Sequence, residues 1–237
     1  ANTTGTRNTA LGAQALDANT TANQNTAIGY QALSSNTTGA SNVALGDEAL
    51  FSNTTAGNNV GLGNDALYFN TTGSENTAVG CQALEKNTTA TNNTAVGYLA
   101  LKENTTGTEN VAVGANALDA NTTGERSTAV GRNALSTITT SSDCTAVGHD
   151  SLPVTTGQRN TATGSFSGGL NSTGQYNTFL GYAAGYGSTT TSNNTAVGYL
   201  SLYSNQAENN TAVGSDALKL NTTGAENVAV GAYALDA

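Results

Sequence analysis

Asn93-Thr94-Ala95-Val96-Gly97 is the stretch on which the reading of this chain turns. The same pentad, or a near copy, returns as Asn25 to Gly29, Asn76 to Gly80, Asn194 to Gly198 and Asn210 to Gly214. Its closing glycine falls at Gly12, Gly29, Gly46, Gly63, Gly80, Gly97, Gly114, Gly131, Gly148, Gly164, Gly181, Gly198, Gly214 and Gly231. The first eight steps are 17 residues each, and the rest are 16, 17, 17, 16 and 17. A fixed period of this size marks a stack of repeated units, so residues 1–237 read as a single repeat array.

One full repeat runs from Asn93 to Glu109, and its places can be taken in turn. The first is Asn except at Ser127 and Cys144, the second Thr or Val, the third Ala except at Gly61 and Phe179, the fourth an aliphatic except at Thr163, and the fifth Gly. Ala or Ser holds the eighth place in nearly every repeat, and Leu the ninth, followed by Asn-Thr-Thr and then Gly or Ala. Seventeen residues are too few for a strand and a full helix with two connections. They suit one coil of a β-solenoid with two short strands and two turns. The expected fold is therefore an all-β parallel β-solenoid of about 14 coils, each of 16–17 residues.

Within the coil, Thr-Ala-Val is the first strand, because β-branched residues at its second and fourth places favour extended backbone. The recurring Gly ends it, at a turn with positive φ or a close backbone approach. Asn-Thr-Thr-Gly is the opposite turn, where Asn and Thr side chains bond to nearby backbone. The Ala-Leu pair lies between, in a second strand or a tight half-turn, with a short helical turn as the other local reading. Side-chain alternation puts Thr94 and Val96 on one face and Ala95 on the other, and splits Ala100 from Leu101. Both faces of each strand are then apolar or small, with stacked Leu and Val rows supplying the core. Burial on both sides implies one face inside the coil and the other against another chain.

The pattern loosens over residues 136–190. Ile138 replaces Asn, Pro153 enters a short repeat, and Gly168 and Gly185 replace Leu, while Phe166, Phe179, Tyr182 and Tyr186 appear. Conservation of core volume favours aromatic compensation for the missing Leu; a local binding face is the other reading.

Composition narrows the function classes. Net charge is −9, from 16 acidic and 7 basic residues that form no runs, which argues against nucleic acid or an anionic membrane as partner. No stretch approaches ~20 apolar residues, so no membrane span is expected. Cys81 and Cys144 lie nearly four repeats apart, too far for a disulfide, and read as free thiols. The chain holds no Met, and Ala1 and Ala237 occupy the same place in the repeat, so a piece of a longer fibre is expected.

The pentad of Asn, a small or β-branched residue, Ala, an aliphatic and Gly resembles the head repeats of YadA-like trimeric autotransporter adhesins. The fuller phrase from Asn25 to Gly39 also looks like repeats of phage tail fibres and large bacterial surface proteins. The resemblance covers essentially the whole chain. It implies a left-handed parallel β-roll, three chains side by side as a homotrimer, and a stiff extracellular, cell-surface or virion fibre. The repeat here is longer than the one in those adhesin heads.

Catalytic, metal and cofactor sites find no support. His149, Asp150 and Ser151 are neighbours in sequence and cannot converge as a nucleophile, base and orienter. Glu75, Glu109 and Glu226 share the seventeenth place but stand two or more coils apart, on a solvated face rather than as the paired carboxylates of a glycan hydrolase. Acids are too sparse for a calcium-binding roll. The Asn-Thr-Thr triplets match a glycosylation sequon, but read better as a ladder of amides bonding coil to coil. Ranks such as Thr37-Thr38, Thr54-Thr55 and Thr71-Thr72 raise ice binding as an alternative, if they are flat and open. The expected function is that of a structural fibre or adhesin segment: a rigid spacer, a homo-oligomer, and a possible attachment module for a host-surface glycan or protein receptor. Ice or glycan binding is the alternative, and no enzyme is expected.

Overall fold

Fourteen three-residue strands recur along the chain, one at each pentad, with no helix among the described residues, in a computed structural model that describes residues 2–236. They mark out about 13 turns of a parallel β-solenoid, against the fourteen coils expected. The chain divides into two compact units, Ala1–Thr123 and Gly124–Ala237.

In unit 1 the strands are β1 (Thr9–Leu11), β2 (Thr26–Ile28), β3 (Val43–Leu45), β4 (Val60–Leu62), β5 (Thr77–Val79), β6 (Thr94–Val96) and β7 (Val111–Val113). Each pairs in parallel with the next, place for place: Thr94 opposes Val111, Ala95 opposes Ala112 and Val96 opposes Val113. Unit 2 repeats the arrangement with β8 (Thr128–Val130), β9 (Thr145–Val147), β10 (Thr161–Thr163), β11 (Thr178–Leu180), β12 (Thr195–Val197), β13 (Thr211–Val213) and β14 (Val228–Val230). The shorter steps leave this register intact, since Thr161 still opposes Thr145 and Thr211 still opposes Thr195.

The coil turns by left-handed dihedrals rather than by a second strand. Three non-glycine places per coil have positive φ, as in Asn92 (61°), Leu99 (58°) and Leu101 (51°). Such φ values are uncommon outside Gly and are held only where the surroundings over-determine them. Here the Leu101 side chain is wholly buried in return. The pentad glycine is demanded twice. Gly97 sits at φ 139°, and a Cβ there would lie 2.6 Å from the carbonyl carbon of Gly114 in the next coil.

The Ala-Leu pair thus forms the tight half-turn. Its expected split across two faces is overturned, because Ala100 and Leu101 are both fully buried. A half-turn of left-handed residues does not alternate as a strand does. The expected core also needs correction. Ala95 points inward and is fully buried, whereas Thr94 and Val96 face outward and are half-buried. The interior is built from Ala at the third and eighth places, Leu at the ninth, and two columns of Asn; the Val row lies outside it.

Both Asn columns are hydrogen-bond ladders. In the turn column, Asn53 Nδ2 donates to Asn36 Oδ1 (3.0 Å), Asn70 Nδ2 to Asn53 Oδ1 (2.9 Å) and Asn87 Nδ2 to Asn70 Oδ1 (2.8 Å). Each amide also caps its own turn, as where Asn70 Nδ2 donates to Gly73 O (2.9 Å). This is the coil-to-coil ladder that the Asn-Thr-Thr triplets suggested. The pentad column works differently. Asn76 Oδ1 accepts the backbone N–H of Asn93 (3.0 Å), while Asn76 Nδ2 donates to Ala90 O (2.8 Å). Buried amides satisfied in this way satisfy the backbone groups that a chain of many turns would leave orphaned.

Candidate functional site

The groups that carry chemistry elsewhere are dispersed here. Ser151 is buried, and its hydroxyl donates to Ala162 O (3.3 Å), away from His149. His149 Nδ1 lies 3.2 Å from Asp150 Oδ2, and its Nε2 lies 3.2 Å from Arg132 Nη1. That pattern assigns the proton to Nδ1, with Nε2 accepting from the guanidinium. The three neighbours therefore form a surface pair and a core hydroxyl, with no convergence. Glu75, Glu109 and Glu226 are exposed and share the left-handed seventeenth place, with φ of 62°, 60° and 61°. Among the described residues, no group of three or more His, Cys, Asp or Glu is placed to hold a metal ion. Cys81 is an exposed free thiol and Cys144 a buried one. Cys144 takes the place of a pentad Asn, its Sγ lies 3.4 Å from Gly157 O, and burial pushes its thiol pKa up.

The two Thr ranks differ in exposure. Thr37 Oγ1 donates to Thr54 O (3.0 Å) and Thr71 Oγ1 to Thr88 O (3.0 Å), so the first rank is used within the fold. Thr38, Thr55 and Thr72 are exposed in a bend, one per coil.

Two hollows lie on the outside of the coils. In unit 1, Glu48, Asp65, Tyr68, Phe69 and Glu85 line one of about 250 Å³. Phe51 stacks on Tyr68 (centroids 5.0 Å apart, planes at 8°), and Tyr68 meets Phe69 edge to face at 4.6 Å. Desolvation, then the charges of Glu48 and Asp65, raise the Tyr68 pKa, so the phenol stays neutral and a donor.

Unit 2 carries the larger one, about 540 Å³, lined by Phe166, Tyr182, Ala183, Tyr186, Tyr199, Leu200 and Tyr203. Two aromatic columns wall it. Phe166 meets Tyr182 edge to face (6.0 Å, 82°), and Tyr182 stacks on Tyr199 (5.6 Å, 15°). Tyr186 stacks on Tyr203 (5.2 Å, 8°). The left-handed half-turn between the sixth and tenth places sets the two columns apart, with Ala183 and Leu200 between them. The Tyr186 ring is seated against Gly169, where a Cβ would come within 2.6 Å of it.

Of the irregular aromatic residues, only Phe179 is inside. It is fully buried at an Ala place in β11, against Gly168 and Gly185, the two glycines that replace Leu. A Cβ on Gly168 would meet Phe179 Cδ2 at 2.9 Å. Compensation therefore holds for Phe179. Phe166, Tyr182 and Tyr186 instead stand on the outer surface. Sequence reading did not single out Tyr199 and Tyr203. The signal was available, since Tyr182 to Tyr199 and Tyr186 to Tyr203 are each one repeat of 17.

No protein-family model matches the chain, and no curated protein matches it.

Proposed function

We propose that the chain is a structural segment of an extracellular fibre or adhesin, working as a rigid spacer within a side-by-side homotrimer of left-handed β-rolls. The supporting observation is the outer face of the strands. In unit 1 the outward places hold Thr26 and Ile28, Val43 and Leu45, Val60 and Leu62, Thr77 and Val79, Thr94 and Val96, and Val111 and Val113. None is charged, and the face is open, with Leu45 at 45% exposure. A row of uncharged aliphatic and Thr side chains, half-buried to exposed, supports reading this face as an association site. A second and third copy carry the same face, and closed cyclic assembly uses equal patches on each chain.

The ladders supply the stiffness. Within each unit, successive coils are tied by strand pairing and by backbone bonds in the half-turn, and in unit 1 by two Asn columns as well, so bending a unit strains several bonds at once. In this reading the function is projection of a receptor-binding part, which takes a host-surface glycan or protein, away from a cell or virion surface.

Light scattering on the purified chain tests the assembly. A mass of three times 23.6 kDa is expected, and a monomer of 23.6 kDa overturns it. Leu62→Lys with Val79→Lys places two cations on the outer face and should give a folded monomer, because like charges across a symmetric contact repel. A trimer that persists in that variant would show that another face is used.

A further inference from the structure

We infer that the aromatic groove of unit 2 is a binding site for an uncharged carbohydrate chain. The inference rests on this unit's own geometry and does not depend on the trimer. A volume of about 540 Å³ lies within the range of small-molecule sites, about 300–1,000 Å³, and suits about two or three sugar rings.

The lining decides the ligand class. It holds aromatic rings, Ala183 and Leu200, and no acid or base that is charged at neutral pH. A charged ligand would have no partner for its charge once out of water. Nucleic acid would also need clustered cations, and this chain is acidic. A peptide would bring a row of backbone donors and acceptors and would look for an open strand edge, which this wall of side chains does not offer. A neutral sugar brings apolar C–H faces bounded by hydroxyls. A tyrosine presents the same two surfaces, an apolar ring and a polar tip. Tyr182 and Tyr199 are 49% and 53% exposed, and no hydrogen bond within the described residues engages the hydroxyl of Tyr182, Tyr186, Tyr199 or Tyr203.

The rings are already held in place. Tyr182 is fixed between Phe166 and Tyr199, and Tyr186 between Gly169 and Tyr203. Ordering the rings before binding removes a cost that the ligand would otherwise meet. Both columns run along the stack at the coil step of about 4.8 Å, so the groove presents a repeating surface to a repeating chain. Unit 1 has no counterpart of the first column, since Asp47, Asn64 and Cys81 follow Tyr30. At the place of the second it has one stack, Phe51 on Tyr68, beside a hollow lined with Phe69 and the acids Glu48, Asp65 and Glu85.

The chain has no Trp, so its intrinsic fluorescence reports tyrosine directly. The intact protein is titrated with neutral hexasaccharides of glucose, mannose and N-acetylglucosamine, followed by fluorescence and calorimetry. Saturable binding of at least one is expected. Tyr182→Ser with Tyr199→Ser places in these coils the residue that Ser165 and Ser215 already provide at that position, so the fold should survive; circular dichroism and thermal melting check that it has. Binding should weaken by about tenfold or more, as when a central aromatic contact is lost. Tyr30→Ser with Tyr98→Ser, the same place in unit 1, should leave it unchanged. Absence of binding by all three sugars, equal binding by the folded Tyr182/Tyr199 variant, or preference for a proline-rich peptide or single-stranded DNA overturns the inference. Light scattering on the same samples separates this from the assembly reading: a monomer that binds sugar keeps the groove and overturns the trimer, and a trimer that binds none does the reverse.

Discussion

Unit 1 and unit 2 are the same coil built with different discipline. In unit 1 the turn column is Asn at every coil, and its amides form an unbroken ladder from Asn19 to Asn121. In unit 2 the column reads Ile138, Thr155, Asn171, Ser188, Asn205 and Asn221. There Thr155 Oγ1 donates to Asn171 Oδ1 (3.1 Å), and Asn171 Nδ2 turns to Ser188 O (3.0 Å). The half-turn backbone bonds nevertheless persist where both Leu and ladder are lost, as in Gly168 N–H to Ala184 O and Gly185 N–H to Ser201 O, both 2.9 Å. The difference separates what the coil needs from what it merely uses. Backbone stacking and interior volume are kept in both units, whereas the amide ladder is optional. The relaxed unit is also the one that carries the aromatic groove.

The largest test of that distinction is Phe179. Its ring fills space that elsewhere belongs to two leucines and an alanine, so Phe179→Ala should cost about 3–5 kcal/mol. Adding Gly168→Leu and Gly185→Leu should recover most of the loss. Those glycines sit at φ 61° and 62°, close to the 51° that Leu101 adopts, so Leu fits the dihedral once the ring is gone. Leu101→Ala in unit 1 has no such local rescue and should cost about 2–5 kcal/mol. Thermal and denaturant unfolding of the four proteins decides the point. A triple variant no more stable than Phe179→Ala alone would mean that volume is not what Phe179 supplies.

A smaller effect is expected in the ladders. Asn70→Ala strands Asn53 Oδ1, at about 1–3 kcal/mol for a buried group left unpaired, while Asn87 Nδ2 keeps Ala90 O and Gly73 O keeps the Asn59 amide. Ser188 in unit 2 presents the reverse case, a buried hydroxyl without a hydrogen-bond partner. Ser188→Asn would join Asn171 to Asn205 through a new rung and should stabilise by about 0.5–1.5 kcal/mol. If both substitutions proved neutral, the ladders would be a consequence of stacking rather than a support for it.

How much of this was legible in advance follows from what periodicity encodes. Thr94-Ala95-Val96 and Gly97 could be read as strand and positive-φ turn, because strand alternation and the need for Gly are local properties. The register followed from the period. Ala100 and Leu101 could not be placed, because Leu gives no sign that it will adopt a left-handed φ. That conformation is dictated by the closing of the coil. The outward position of Val96 was also missed, since an apolar residue reads as core unless its neighbours fix the inner face. Asn76 was read only as the first place of the pentad, yet its side chain substitutes for a backbone acceptor. Phe179 was read as volume compensation together with Phe166, Tyr182 and Tyr186, although only the first is inside. Parity could have sorted them. Phe179 occupies an inward Ala place, while Phe166, Tyr182 and Tyr186 fall at variable outer ones.

Acid should separate the units most gently, through three carboxylates. In unit 1, desolvation raises the Asp119 pKa. The folded state then binds this proton more readily than the unfolded chain, so its cost at neutral pH is relieved as pH falls through the raised value. In unit 2 the signs are opposite. The Arg126 guanidinium, 2.8 Å away, holds Asp143 below its ordinary range, and Lys219, 2.7 Å away, does the same to Asp216. Their contribution is fully present above the ordinary value of roughly 3.9 and is lost as pH falls through the lowered values. Hydrogen exchange read peptide by peptide should therefore show unit 1 around Asp119 gaining protection between neutral pH and about pH 4. Unit 2 around Asp143 and Asp216 should hold level there and lose protection only below it. Salt should shrink the unit 2 effect, because those pairs are partly open to solvent. A rise near Asp143 on mild acidification would mean that its burial outweighs its arginine, and the contrast between the units would then rest on packing alone.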